Sequence, residues 1–394
     1  MTEAFLVGGV RTPVGRYGGA LSSLRPDDLA ALVLKETVSR AGVDPELLDE
    51  VILGNANGAG EENRNVARMA TLLAAFPDSI PGITVNRLCA SGLSAIIMAS
   101  HMVKAGAADI VVAGGVESMS RAPWVMAKPE KAFAKPGEIF DTSIGWRFIN
   151  PAFETRDKTT FTMPETAEEV ARVEGITRED ADAFALRSHQ RAIDAIDTGR
   201  LAPEIVGVET KKGMVDVDEG PRRDTSMETL SRLRPVVRPG GIVTAGNASS
   251  LNDGASAIIV ASEAAIERLG LKARARILDG ASTGVAPEIM GLGPVSATRK
   301  VLARTGWSVN DLGAVELNEA FATQSLGVIR RLGLDEEIVN RDGGAIATGH
   351  PLGSSGSRIV ITLLGRMERE NAKIGLATLC VGVGQGTSML IERV

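Results

Sequence analysis

The chain reads as an α/β protein in which one strand-and-helix unit occurs twice, with a long segment of different character inserted between the copies. Three observations predict this. Strand-like and helix-like stretches alternate near both ends of the chain. Several residues recur at one constant offset of 264 positions. The 44 glycines gather beside the only two cysteines instead of spreading as low complexity.

From the N-terminus, Phe5 to Val10 reads as a strand, Pro26 to Ala41 as a helix, Glu50 to Gly54 as a buried strand and Arg64 to Ala75 as a helix. The pattern returns late in the chain. A helix is expected from about Ser296 to Thr305, a strand from Ala314 to Leu317, helices over Phe321–Leu332 and Ser355–Glu370, and a strand over Gly375–Cys380. Such alternation predicts parallel sheets with helical crossovers. The repeat supports it: Gly42, Leu48, Val51 and Leu53 fall on Gly306, Leu312, Val315 and Leu317, while Ser91, Gly92 and Ile97 fall on Ser355, Gly356 and Ile361.

Between the copies, about 120 to 250, lie Pro-rich stretches, a charged amphipathic helix from Arg178 to Ile196 and the charged run Glu219 to Asp224. Seven aromatics (Trp124, Phe133, Phe140, Trp146, Phe148, Phe153, Phe161) crowd into residues 121–165. They would form either a satellite core or an apolar wall, over a substrate tunnel or against a second subunit.

Composition excludes several classes. A net charge of −6 without a Lys/Arg-rich block lacks the footprint of a nucleic-acid binder, and nine Phe, three Trp and one Tyr do not build a base-stacking platform. No apolar run approaches the ~20 residues of a membrane helix, and Met1 to Arg11 lacks the basic start of a signal peptide, so a cytoplasmic protein is expected. Two cysteines cannot form a disulfide framework, and His101, His189 and His350 share no metal-ligand spacing, so no metal is expected.

Cys89 sits in Asn86-Arg-Leu-Cys-Ala-Ser-Gly92, just ahead of a helix marked by Leu93, Ile96, Ile97 and Val103. A thiol at a helix N-terminus is expected to be favoured as thiolate by the dipole and the unpaired amides; the plain alternative is a small buried hydrophobe. His350, in the glycine-rich run Gly343 to Arg358, is held as a general base would be, whereas His101 and His189 lie in ordinary helical contexts. Cys380 ends an apolar strand and opens Cys-Val-Gly-Val-Gly-Gln-Gly386, whose amides suit an oxyanion site; a dinucleotide loop is the competing reading. Asn318, after a buried strand, would contact ligand or cap the next helix. Because Ser91-Gly92 and Ser355-Gly356 match in the repeat, Cys89 and His350 both precede equivalent helix starts, and a pseudo-twofold would bring them to one cleft for covalent acyl chemistry.

These stretches resemble the thiolase family along almost the whole chain. The matching motifs are Asn86–Gly92, Gly114-Gly-Val-Glu-Ser-Met-Ser120, Thr244–Ser249, Asn252-Asp-Gly254, Asn318-Glu-Ala-Phe321, Gly349-His-Pro-Leu-Gly353 and Cys380-Val-Gly382. The resemblance implies a thiolase fold: two pseudo-twofold-related βαβαβαββ core domains, residues 1–120 with 250–271 and residues 272–394, plus a loop domain over 121–249, assembled as a homodimer or homotetramer. It implies that Cys89 takes the acyl group, that His350 activates it, and that Cys380 exchanges the acetyl-CoA α-proton. The Cys89 and Gly382 amides would form one oxyanion hole, and His350 with a water held by Asn318 the other. Ser249 matches a pantetheine contact, Met163, Met290, Phe321 and the neighbouring Ala320 match pocket positions, and Arg222 is a candidate for the nucleotide end. The substrates would be acetyl-CoA, a 3-oxoacyl-CoA and CoA, with no cofactor.

Within the family, Gly60–Met69, Ile144-Gly-Trp-Arg-Phe-Ile-Asn-Pro151 and Cys380–Gly386 resemble the 3-oxoadipyl-CoA thiolase group, whose relatives include acetyl-CoA acetyltransferases. Thr162-Met163-Pro164-Glu165 stands where short-chain biosynthetic members carry a His-Met pair. Two other readings share the fold: a decarboxylating ketoacyl synthase, which would need a second histidine in the site, and an inactive thiolase-like binding protein.

Overall fold

The structure is a computed structural model and describes residues 2–394. The first unit runs β1 (Ala4–Arg11), α1 (Pro26–Ala41), β2 (Glu50–Gly54), α2 (Val66–Leu73), β3 (Gly82–Val85), α3 (Ser91–Lys104) and β4 (Ile110–Ser118). The chain then leaves the sheet. It forms, among other elements, α4 (Met163–Glu174) and α5 (Arg178–Asp197), and re-enters at β5 (Asn252–Ser262). The second unit runs β6 (Ala273–Gly284), α6 (Gly293–Thr305), β7 (Leu312–Leu317), α7 (Ala322–Leu332), α8 (Leu352–Arg369), β8 (Ile374–Val381) and β9 (Gln385–Arg393).

Local chemistry explains the boundaries. Pro26 opens α1 where its missing N–H costs nothing, and Leu29, Val33, Leu34 and Val38 form its buried stripe. Gly42 ends α1 at φ 67° and Gly306 ends α6 at φ 75°, both left-handed caps that favour glycine. That is why this pair recurs in the sequence repeat.

The strands form one continuous sheet in the order β7-β8-β9-β6-β1-β5-β4-β2-β3, with the short strand Gly15–Arg16 beside β5. Parallel crossovers were expected throughout; only β2 with β3, β2 with β4 and β7 with β8 are parallel. The five central pairings are antiparallel. The reason is topological: β9 follows β8 through a tight turn, and β5 re-enters the sheet at the end where β4 left it, so each runs opposite to its neighbour.

The order is symmetric about the β1–β6 seam, where Phe5 faces Arg276 and Leu6 faces Ala275. Moving outward, β5 matches β9, β4 matches β8 and β2 matches β7. Beyond β7 a parallel bridge from Val315 to Val339 takes the place of β3. A central core joins α3 and α8 to strands of both units, including Leu6, Ile258, Ile277 and Leu379. A second core packs α1 and α2 against the first unit, and a third packs α5, α6 and α7 against the second. The helices α3 and α8, whose N-terminal ends carry the conserved spacing of the repeat, therefore lie inside the molecule.

The aromatic-rich segment does not form a satellite core. Trp124, Phe133 and Phe148 are exposed, and none of the seven aromatics is fully buried.

Candidate active site

Glycine lets α3 and α8 meet. A Cβ on Gly92 would lie 2.7 Å from Gly353 O, and one on Gly356 would lie 2.2 Å from Leu93 N. Only backbone fits between these helix starts, so their N-termini are brought side by side.

Cys89 lies in a single turn of 3-10 helix, Leu88–Ala90, ahead of α3. Leu88 is held at φ 46°, uncommon for a branched residue. The turn is pinned from both sides: Leu88 N–H donates to Asn86 Oδ1 at 2.9 Å, Arg87 N–H donates to Ser91 Oγ at 2.9 Å, and Ser91 Oγ donates to Leu88 O at 2.6 Å. The sulfur is half-buried in a cavity of about 350 Å³ lined also by Leu88, Glu117, Met163, Trp146 and Gly382.

The expectation of a favoured thiolate is overturned. Burial pushes the Cys89 thiol up to about 11, Glu117 adds to the rise, and backbone hydrogen bonds from Gly382 and from Cys89 itself oppose it without cancelling it. Desolvation in an apolar cavity outweighs two amide dipoles here. Those amides nonetheless point into the space beside the sulfur, where the carbonyl oxygen of an attacked thioester or ketone would become an oxyanion.

His350 is fully enclosed. Gly349 takes φ 110°, a Cβ there would fall 2.4 Å from the Asn252 amide, and His350 N–H donates to Asn252 Oδ1 at 2.9 Å. Ser355 Oγ commits its one hydrogen to Pro351 O at 2.8 Å and lies 2.6 Å from His350 Nδ1. The proton therefore sits on Nδ1 and donates to Ser355, leaving the Nε2 lone pair free as a base. Burial, with help from the Arg358 charge, pushes the imidazole down to about 3, so it rests neutral.

Asn318 follows β7, is completely buried, and places its Nδ2 3.4 Å from His350 Nε2. Its Oδ1 has no partner. A buried amide oxygen left open beside a base is a ready acceptor for a water or a substrate group.

Cys380, near the end of β8, is free, fully buried and facing Gly386 across the hairpin. Its thiol is pushed well above its ordinary value, first by burial and then by the neighbouring Cys89. The glycine-rich run is the β8–β9 turn, with Val383 at φ 63° and Gly384 at φ 81°. This rules out the dinucleotide loop, which needs a helix after the strand.

Cys380 packs in one small cluster with Met290, Ala320 and Phe321, against which Met163 also lies. Met163 thus borders both this cluster and the Cys89 cavity. Ser249 N–H donates to Ala320 O at 3.0 Å, tying it to the same edge. Arg222 lies elsewhere. With His189, Leu230 and Ala248 it lines a second cavity of about 410 Å³, and its N–H donates to His189 Nδ1 at 3.2 Å.

Three functional neighbours escape sequence reasoning. Glu117 accepts N–H groups from Ala56, Asn57 and Gly353 at 2.9, 3.2 and 2.8 Å, joining the ends of β2 and α8 at the cavity. Ser355 fixes the imidazole, and Arg147 lines the Cys89 cavity. Glu117 lies within the motif Gly114–Ser120, and its own mark is an acid inside an otherwise small and apolar strand end.

Two free thiols, a neutral imidazole and backbone amides aimed at one of the thiols, on a duplicated α/β frame, are the groups that an acyl-transferring condensing enzyme uses. Residues 4–264 match the N-terminal domain of thiolases and residues 271–393 the C-terminal domain, and the chain belongs to the thiolase family. It is an acyltransferase whose chemistry is acyl-CoA + acetyl-CoA ⇌ 3-oxoacyl-CoA + CoA. It is 55% identical over 402 residues, covering 100% of both chains, to the 3-oxoadipyl-CoA/3-oxo-5,6-dehydrosuberyl-CoA thiolase of Escherichia coli (strain K12). It is 54% identical to the beta-ketoadipyl-CoA thiolase of Pseudomonas aeruginosa, covering 100% of this chain and 99% of that one. Among solved structures, human mitochondrial 3-ketoacyl-CoA thiolase in complex with CoA superposes with a TM-score of 0.94 at 38% identity, over 100% of this chain and 98% of that one.

Proposed function

We propose that the chain cleaves 3-oxoadipyl-CoA with CoA, giving succinyl-CoA and acetyl-CoA, and runs the reverse condensation. His350 Nε2 takes the Cys89 proton as the sulfur attacks the 3-oxo carbon. The C2–C3 bond then breaks, the acyl group stays on Cys89 as a thioester, and the acetyl-CoA enolate leaves and is protonated by Cys380. CoA next attacks the thioester, its thiol proton passing to Cys380, and the departing Cys89 sulfur takes back the proton held by His350. The Cys89 and Gly382 amides stabilise the oxyanion at the acyl carbon, and His350 with a group bound at Asn318 stabilises the enolate oxygen. These roles call for no cofactor beyond the CoA thioesters.

The observation that carries the roles is the neutral His350 base beside the orphaned Asn318 oxygen, just ahead of α8, whose start packs on that of α3 behind Cys89, with Cys380 a neighbour of Cys89. The substrate is supported by identity above one half, over the full length, to enzymes bearing that name. Ser249, Met290, Phe321 and Ala320 would flank the pantetheine arm, with Arg222 toward the nucleotide. Acid quenching after mixing with substrate tests the assignment. Cys89→Ser is expected to yield no acyl-protein, whereas Cys380→Ser acylates from an activated acyl-CoA yet forms no carbon–carbon bond. Equal loss of both steps in Cys380→Ser would refute the division of labour.

A homodimer or homotetramer is the proposed assembly. It is supported by β3, a terminal strand with Ile83 exposed, and by the exposed Trp124, Ile139 and Phe148. Two free thiols with these roles suit a reducing compartment, and the cytoplasm is the one proposed. No helix among the described residues is long and apolar enough to cross a membrane.

A further inference from the structure

The cavity that holds Cys89 is largely apolar, and only two charged residues line it, Glu117 and Arg147. Glu117 is already committed: its two oxygens accept the three backbone N–H groups of Ala56, Asn57 and Gly353, and burial pushes it up to about 7. Arg147 is not. It is half-buried, and among the described residues its guanidinium has no ion pair and no hydrogen bond. Most arginines elsewhere in the chain are engaged, Arg121 with Glu61 and Arg366 with Glu316 among them.

The backbone around Arg147 is fixed on both sides. Gly145 takes φ 89° and Phe148 takes φ 51°, so the chain turns sharply before and after it. Trp146 packs edge-on against Phe153 with centroids 6.1 Å apart and donates its Nε1–H to Phe161 O at 3.3 Å. Phe148 packs against Phe140 at 5.1 Å. Two anchored aromatics thus hold the arginine between them at the wall of the acyl cavity.

An unpaired cation beside an apolar cavity asks for an anion from the ligand. A planar guanidinium meets a carboxylate through two parallel hydrogen bonds, which a neutral chain end cannot replace. We propose that Arg147 reads the far carboxylate of the acyl chain and so selects 3-oxoacyl-CoA substrates whose chain ends in an acid. This rests on the dicarboxylic substrate assigned above and names the residue that enforces it.

The test compares thiolysis kcat/KM for 3-oxoadipyl-CoA with that for 3-oxohexanoyl-CoA, equal in carbon number but ending in methyl, using the full chain. The wild type is expected to favour the acid. In Arg147→Met the ratio should fall at least tenfold, chiefly through KM for the acid, and Arg147→Lys should restore part of it because charge remains while the fork is lost. A wild type that favours the acid with a ratio unchanged within twofold in Arg147→Met would overturn the role of Arg147 and leave the substrate standing. A wild type without preference would overturn the substrate itself and the inference with it. Should Arg147→Met fail to fold, Arg147→Gln and Arg147→Lys are judged by the same ratio.

Discussion

At the scale of single residues, Cys89 and His350 rest uncharged. Burial holds the Cys89 thiol up at about 11 and the His350 imidazole down at about 3, so the thiol and the base both rest neutral. In the proposed mechanism proton transfer is then coupled to attack, when the Gly382 and Cys89 amides gain an oxyanion to stabilise. A direct consequence concerns alkylation. In Cys380→Ser, where only Cys89 can react, the iodoacetamide rate should climb about tenfold per unit from pH 7 to 10, because the thiolate is the nucleophile. A plateau below pH 8 would instead reveal a resting thiolate–imidazolium pair and overturn the neutral assignment. The residue types were legible in the sequence, since a Cys before small residues and a His among glycines announce chemistry. Their ionisation was not legible, because it depends on desolvation by Met163, Gly382 and other cavity walls distant in the chain.

At the scale of elements, the crossing of α3 and α8 sets the alignment. Gly356→Ala would place a Cβ 2.2 Å from the Leu93 amide nitrogen, against backbone that cannot swing aside. We expect a loss of about 1–3 kcal/mol in urea unfolding. The acylation rate should also drop at least tenfold, since small displacements of reacting groups are costly. Lowered stability with an unchanged acylation rate would show that the helix pair does not align the nucleophile and base. Much of this level could be read in advance. The boundaries of α1 follow from Pro26 and Gly42, and the recurrence of Ser91-Gly92 at Ser355-Gly356 marked the two helix starts that meet. The aromatic segment was harder: Trp146 reaches the cavity while Trp124 and Phe133 face outward, and composition alone cannot separate a wall from a surface. Arg147 lies in the stretch Ile144–Pro151 marked by the resemblance, but only the fold shows that it lines the cavity.

At the scale of the whole molecule, a buried ionic cluster ties the inserted segment to the sheet. Arg11, at the end of β1, binds Glu204 at 2.6 Å and Asp218 at 2.7 and 3.0 Å, and Glu204 also accepts from Thr362 on α8 at 2.9 Å. Arg11→Met would leave two buried carboxylates without their cation, a cost of about 3–5 kcal/mol. Denaturant unfolding of the variant measures it, and a change below about 1 kcal/mol would mean that water replaces the arginine. The antiparallel centre of the sheet was the part least visible in the sequence, because a strand carries no local mark of a partner hundreds of positions away. That seam also shapes how the protein is made. Phe5 must wait for Ala261 and Arg276 before β1 has neighbours on both edges. At roughly 5–20 residues per second, a ribosome needs about 13–50 s to deliver the intervening chain of about 250 residues. Through that interval Leu6, Val7 and Val10 have no strand on either edge, so β1 is translated well before the sheet neighbours that secure it.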